Sequence, residues 1–296
     1  MDISTSSGLS VPELAAHLLQ HANTQEERPP VALGPRYAPS ATRSSAQALR
    51  KSIDAVSERL GPPALYGGNA FGPTIRWRAS AHTVILDAPG VARGLQLSVR
   101  RTFALKALES QRFRHAHELK VEDLPILWQW QPVPVEPAPP SAPVAPNWTA
   151  LRVSLEAVLR AWCDQLEDQL GQDDAGFDIV FDADSKLRRL VVLVSPADSL
   201  TVLVDDRDGA HEGVHHAEMS ARGWQDFIAV HCWWGSYFER TPAGAKAAAR
   251  LIVAELQARG AQSPEDLLLA DVGAGEGDGL LTLPGLGIAS TPTSRH

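Results

Sequence analysis

The chain has 296 residues, 44% of them hydrophobic, and a net charge of −8, which is enough for two modest cores with polar tails. It has no apolar run near the roughly 20 residues that span a bilayer, and 1–10 (MDISTSSGLS) lacks the basic start and apolar stretch of a secretory signal. Two cysteines, Cys163 and Cys232, provide neither a disulfide framework nor paired zinc-ligand spacing, so a reduced, cytoplasmic protein without membrane contact is expected.

Residues 1–44 are rich in Ser, Thr, Pro and Gln and are expected to be largely disordered, with one short helix at 12–20 carrying Leu14, Leu18 and Leu19 at helical spacing. A first α+β module is expected over 45–130. It opens with a helix at 46–60, stopped by Gly61-Pro62-Pro63. Ile75, Trp77 and Ala79 then alternate with Thr74, Arg76 and Arg78, the run 83–86 follows, and Leu95, Leu97 and Val99 alternate with Gln96, Ser98 and Arg100. Short connections predict three antiparallel strands with one apolar face and one carrying Arg76, Arg78 and Arg100. A helix is predicted at 103–117, and 124–130 is an aromatic, apolar patch compatible with either class.

The strip at 131–147 (QPVPVEPAPPSAPVAPN) predicts a stiff, extended linker, because runs of Pro favour polyproline II. A second module over 148–270 repeats the plan. Its helix at 148–170 places Leu151, Leu155, Val158, Leu159, Trp162 and Leu166 on one stripe. Strands follow around Phe177, Ile179 and Phe181, at 190–194, and around Leu200, Val202 and Val204. After an aromatic stretch at 224–238, a helix begins at Thr241 (N-cap) and Pro242 and stops at Gly260. A short helix is predicted to start at Ser263-Pro264-Glu265-Asp266, and 271–296 reads as a flexible, Gly-rich tail. Charge divides the modules: 45–130 holds 12 Lys+Arg against 7 Asp+Glu, whereas 148–270 holds 11 against 20. Opposite signs on two such modules suit contact between them, a different partner for each, or simply two solvated surfaces that drifted apart in charge.

Several stretches invite a chemical reading. His211-Glu212-Gly213-Val214-His215 spells the H-E-x-x-H pattern, in which two His one helical turn apart share Zn²⁺ and Glu212 polarises the bound water; Glu239 is the candidate third ligand. The surroundings offer little apolar surface to bury, so a polar loop is the expectation, with zinc required only by the hydrolase alternative. Asp271-Val272-Gly273-Ala274-Gly275-Glu276-Gly277 resembles by spelling the first glycine motif of S-adenosylmethionine-dependent methyltransferases, but a helix rather than a strand is expected before it and no room remains for that fold after it. Adjacency of His231 and Cys232 does not make a catalytic dyad, and Cys232 is expected to fill core. Asp205, Asp206 and Asp208 lack EF-hand spacing and read as a solvated turn. Arg76, Arg78, Arg93, Arg100 and Arg101 suggest a basic face, but Trp77 should point away from it into the core, and nucleic-acid binding is disfavoured.

The order helix, three-stranded antiparallel sheet, helix, used twice over 46–260, resembles the type III secretion chaperone-like superfold, whose members include the YbjN-type proteins. The first module departs from it by lacking a clear closing helix like 241–259. The resemblance implies a non-enzymatic module that binds a polypeptide along a sheet or helix groove, often as a homodimer, and no functional residue carries over from it. The expected function is therefore protein interaction or a chaperone-like role, with Trp128, Trp130, Trp233 and Trp234 as candidate anchors. A zinc hydrolase and a nucleic-acid-binding accessory protein are the alternatives.

Overall fold

The computed structural model describes residues 9–22, 29–36, 43–88, 94–116, 119–133, 141–171, 174–182, 187–195, 199–207, 213–274 and 279–290. The first half runs α1 (Val11–Ala22), β1 (Val31–Arg36), α2 (Arg43–Leu60), β2 (Tyr66–Asn69), β3 (Gly72–Ala79), β4 (His82–Asp87), β5 (Gly94–Arg101), α3 (Thr102–Arg114) and β6 (Trp128–Gln131). The second runs α4 (Trp148–Leu170), β7 (Ala175–Asp182), β8 (Leu187–Val194), β9 (Leu200–Asp205), α5 (Gly213–Arg222), β10 (Asp226–Ile228), β11 (Trp233–Phe238), α6 (Pro242–Ala258), β12 (Leu267–Ala274), β13 (Leu280–Thr282) and β14 (Ala289–Ser290). The fold is α+β, with two sheets of order β1-β5-β4-β3-β2-β6-β13 and β10-β11-β9-β8-β7-β12-β14.

The period-2 strands form as their sequence dictates. In the first sheet Ile75, Trp77, Val84, Leu86, Leu95 and Leu97 are buried under α1 and α2, and the Trp77 indole donates to Ser57 Oγ at 3.2 Å. The opposite face carries Arg76, whose guanidinium pairs with Glu109 of α3 at 2.5 and 3.2 Å, so α3 lies over that face. In the second sheet Phe177, Ile179, Val192, Val202, Val204 and Trp234 are buried on one face, where Trp162 of α4 meets Phe177 edge-on at 5.5 Å. The Thr241 hydroxyl accepts from Gly244 N, capping α6 where the sequence placed its start, and Gly260 ends it at a φ of 99°.

One helix serves both sheets. The apolar stripe of α4 faces the second sheet, while its Gln165 and Gln169 reach the backbone of β2 in the first. Gln169 Oε1 accepts from Gly67 N at 3.0 Å and its Nε2 donates to Gly67 O at 2.9 Å, copying the hydrogen bonds of an added strand. Gln165 Nε2 donates to Asn69 O at 2.9 Å and its Oε1 accepts from the Trp128 indole at 3.1 Å. A Cβ on Gly68 would lie 1.6 Å from Gln165 Oε1, so this approach needs glycine. Arg50 of α2 donates to the carbonyls of Glu167 and Asp168, satisfying the last turn of α4. Leu65, Phe113, Leu124, Ile126, Leu127 and Trp128 therefore share a core with α4, and 124–130 resolves into a buried turn and β6.

Other expectations are corrected. Within 1–44, expected to be largely disordered, α1 buries Val11, Leu14 and Leu18, and the run at 31–36 pairs with β5 as an edge strand. Ser263-Pro264-Glu265-Asp266 forms one 3-10 turn with a capping box, and Leu267, Leu268 and Leu269 continue as β12 against β7 rather than as a helix. β12 runs through to Ala274, and beyond it Leu281, Leu283, Leu286 and Ile288 are buried where a flexible tail was predicted. β13 extends the first sheet beside β6, β14 lies parallel to β12 in the second, and Ala142 and Ala145 of the Pro-rich strip donate to Pro284 O and Gly287 O. Extended proline-rich chain suits this pairing, because it needs a partner on only one edge.

Candidate interaction face and the Asp206 cluster

The second sheet has a face that its helices leave open. Its register aligns Tyr237, Thr201 and Leu193 in one row and Leu203, Val191 and Asp178 in a second, and toward one end pairs Trp233 with Asp205 and aligns Arg189, Val180 and Leu268; of these Asp178, Val180 and Asp205 are buried. These side chains point away from α4, α5 and α6, which sit against Phe177, Trp234 and the other residues of the buried face. Leu193 is 37% exposed, Leu268 40% and Tyr237 41%. Ile228 of β10 stands opposite Trp233 at the sheet edge, and both are half-buried. Among the described helices none covers this face as α3 covers the first sheet.

A charged group lies within the apolar surface. Arg189 donates to Asp178 at 2.8 Å and to Asp271 at 2.9 Å, holding two carboxylates on one guanidinium. Burial pushes the Asp178 carboxyl up to about 6; Arg189 opposes the shift and Asp271 adds to it. Asp271 sits at a φ of 44° where the β12–β7 register slips, a bulge that brings its carboxylate toward Asp178.

Of the predicted motif residues, Asp205, Asp206 and His215 fall at one end of the same sheet. His211, Glu212 and Asp208 lie outside the described residues. His215, on α5, sets Nε2 2.6 Å from Asp206 Oδ2. Asp206 also accepts from the Trp234 indole at 3.0 Å and from Arg259 at 3.2 Å. Arg259 continues to the fully buried Glu255 at 2.6 Å, which accepts from the Trp224 indole at 2.9 Å. Asp205 is buried and bonded to Arg207; burial raises its carboxyl, and the hydrogen bonds from Arg207 win and hold it below the usual range. Asp205 and Asp206, expected in a solvated turn, are thus buried, and Asp206 joins an ion network between β9, α5, β11 and α6, because sheet packing places Arg259 and Trp234 beside it.

Glu239 is not brought to His215. Trp233 pairs with Asp205 and Phe238 with Leu200, so Glu239 follows the far end of β11, about 17 Å of strand away from the Asp205 end. No group of three or more potential metal ligands gathers among the described residues. Cys232 sits half-buried in the turn before β11 at a φ of 53°, not in the core, and its carbonyl accepts from Asp206 N. The candidate anchors divide: Trp128 and Trp234 are buried, each donating its indole to an internal acceptor, whereas Trp130 and Trp233 are half-buried. Sequence reasoning missed Leu193, Leu203, Tyr237 and Leu268; apolar residues at the outward positions of a strand were the available signal. The glycine-rich motif at 271–277 is preceded by a strand after all, but β12 is antiparallel to β7 and its glycine at 273 lies within the strand rather than at a turn into a helix. No protein-family model, curated protein or solved structure matches this chain.

Proposed function

We propose that this is a non-enzymatic protein-interaction protein of chaperone-like type, which holds a polypeptide on the open face of the second sheet. The observation that carries this reading is the set of outward-facing Leu193, Tyr237 and Leu268, exposed on this face beside the half-buried Leu203 and Trp233, since apolar side chains left on a water-facing sheet mark a contact site. The order α4, β7, β8, β9, α5, β10, β11, α6 supports the secretion chaperone-like resemblance for the second half. Duplication is supported by the strand orders: β5-β4-β3-β2-β6 and β11-β9-β8-β7-β12 each close with a strand returning beside the first of the meander. In this reading the Pro-rich strip joins two related modules that later came to share α4. Immobilised wild-type chain is expected to retain a polypeptide from a lysate of the cells that make it. Leu193→Asp/Leu268→Asp should lose that retention while melting within about 2 °C of wild type, as exposed substitutions do. Equal retention by both proteins, or none by either, overturns the proposal.

A further inference from the structure

The outward side of α3 is the other large apolar surface. Phe103 is 84% exposed and Leu108 51%, with Ala104 and Ala107 also exposed, and Arg101, Lys106, Arg112 and Arg114 flank them. The helix has almost no amphipathic bias, because it rests one side on the first sheet and presents apolar residues on the other as well. A helix of a monomeric protein normally gives that second side to solvating residues.

The two surfaces match in charge and in length. The α3 surface sets Phe103 and Leu108 among Arg101, Lys106, Arg112 and Arg114, and the open sheet face carries the exposed Asp271, paired with Arg189, and Asp226 exposed at its edge. The 13 residues of α3 span about 20 Å. The five strands β11-β9-β8-β7-β12 span four spacings, about 19 Å. A helix laid across these strands runs from Trp233 on β11 to Leu268 on β12. It would give the second sheet the same cover that α3 already gives the first.

We propose that the occupant of the open face is a second copy of this chain, docked through the outward side of its α3. This rests on the reading of that face as a docking surface. The contact is head-to-tail: the surfaces differ, so a pair of copies leaves one of each kind unpaired, and the association extends or closes into a ring. Opposite charge across it makes the contact weaken with salt.

Light scattering and sedimentation of wild type should show mass rising with concentration, and less so when salt goes from about 0.05 to about 0.5 M. Phe103→Asp/Leu108→Asp (helix variant) and Leu193→Asp/Leu268→Asp (face variant) should each be monomeric, with circular dichroism and melting like wild type. Mixed in equal amounts, they should form a one-to-one dimer that grows no further, because one intact helix meets one intact face. A wild type that stays monomeric at every concentration overturns the proposal. So does self-association that survives in the helix variant, which marks a symmetric face-to-face contact. Where wild type is monomeric but the face variant alone loses a foreign polypeptide, only the choice of partner fails. Where neither effect is seen, the docking reading fails with it.

Discussion

Each of the two seven-stranded sheets packs one face under helices, and they differ in how the opposite face is finished. On the first, Arg76 is largely buried and neutralised by Glu109 of a helix from the same chain. On the second, the equivalent surface carries Leu193, Leu203, Tyr237 and Leu268 and a half-neutralised carboxylate pair, with no described helix over it. The contrast teaches that forming a sheet does not determine what covers its second face. A buried Arg needs its partner from within the fold, whereas exposed Leu and Tyr cost little in isolation and are free to meet another molecule.

The largest effect expected is at the junction between the sheets. Gly68→Ala drives a methyl group into Gln165 and should cost about 3 kcal/mol or more, read as a lowered melting temperature. Gln165→Ala, which leaves the Trp128 indole and Asn69 O without partners, should cost about 2 to 4 kcal/mol. If either variant melts in two separated transitions, the sheets are more independent than α4 implies. Next, Glu109→Ala strands a largely buried guanidinium and should cost about 3 kcal/mol. Leu193→Asp, on the corresponding face of the other sheet, should stay within about 0.5 kcal/mol of wild type. Similar losses for the two would erase the distinction between a covered and an open face.

A smaller effect concerns Asp178. Its folded value of about 6 lies above the ordinary value near 4, so between those pH values the folded chain keeps a proton that the unfolded chain has released. The stability from this group is complete below pH about 4 and is lost as pH rises through about 6. Asp178→Asn should remove that part of the slope of melting temperature against pH. An unchanged slope would mean that Arg189 neutralises the pair fully.

Legibility in the sequence followed the range of the physics. Thr241, Pro242 and Gly260 marked α6 because capping acts within a few residues. Alternation at 74–79 and 95–100 marked β3 and β5 because the pleat repeats every two residues. The short helix expected at Ser263-Pro264-Glu265-Asp266 became a single turn, since the leucines that follow gain more from pairing with Phe181 and Ile179. Of the candidate site, Trp233 was singled out from the sequence and the rest of the face was not. Leu193 and Leu268 look like core residues until the register shows which way they point.

The amino-acid sequence by itself determined the α+β class, the period of the main strands and the bounds of the well-capped helices, because each depends on neighbours along the chain. Only the tertiary structure decided that Gln165 and Gln169 join the sheets, that Asp206 gathers His215, Trp234 and Arg259, and that the segment after β12 is buried. Those partners lie up to about a hundred residues apart, as Gly67 and Gln169 do, and the pairing energy is set by burial and geometry that no local pattern encodes.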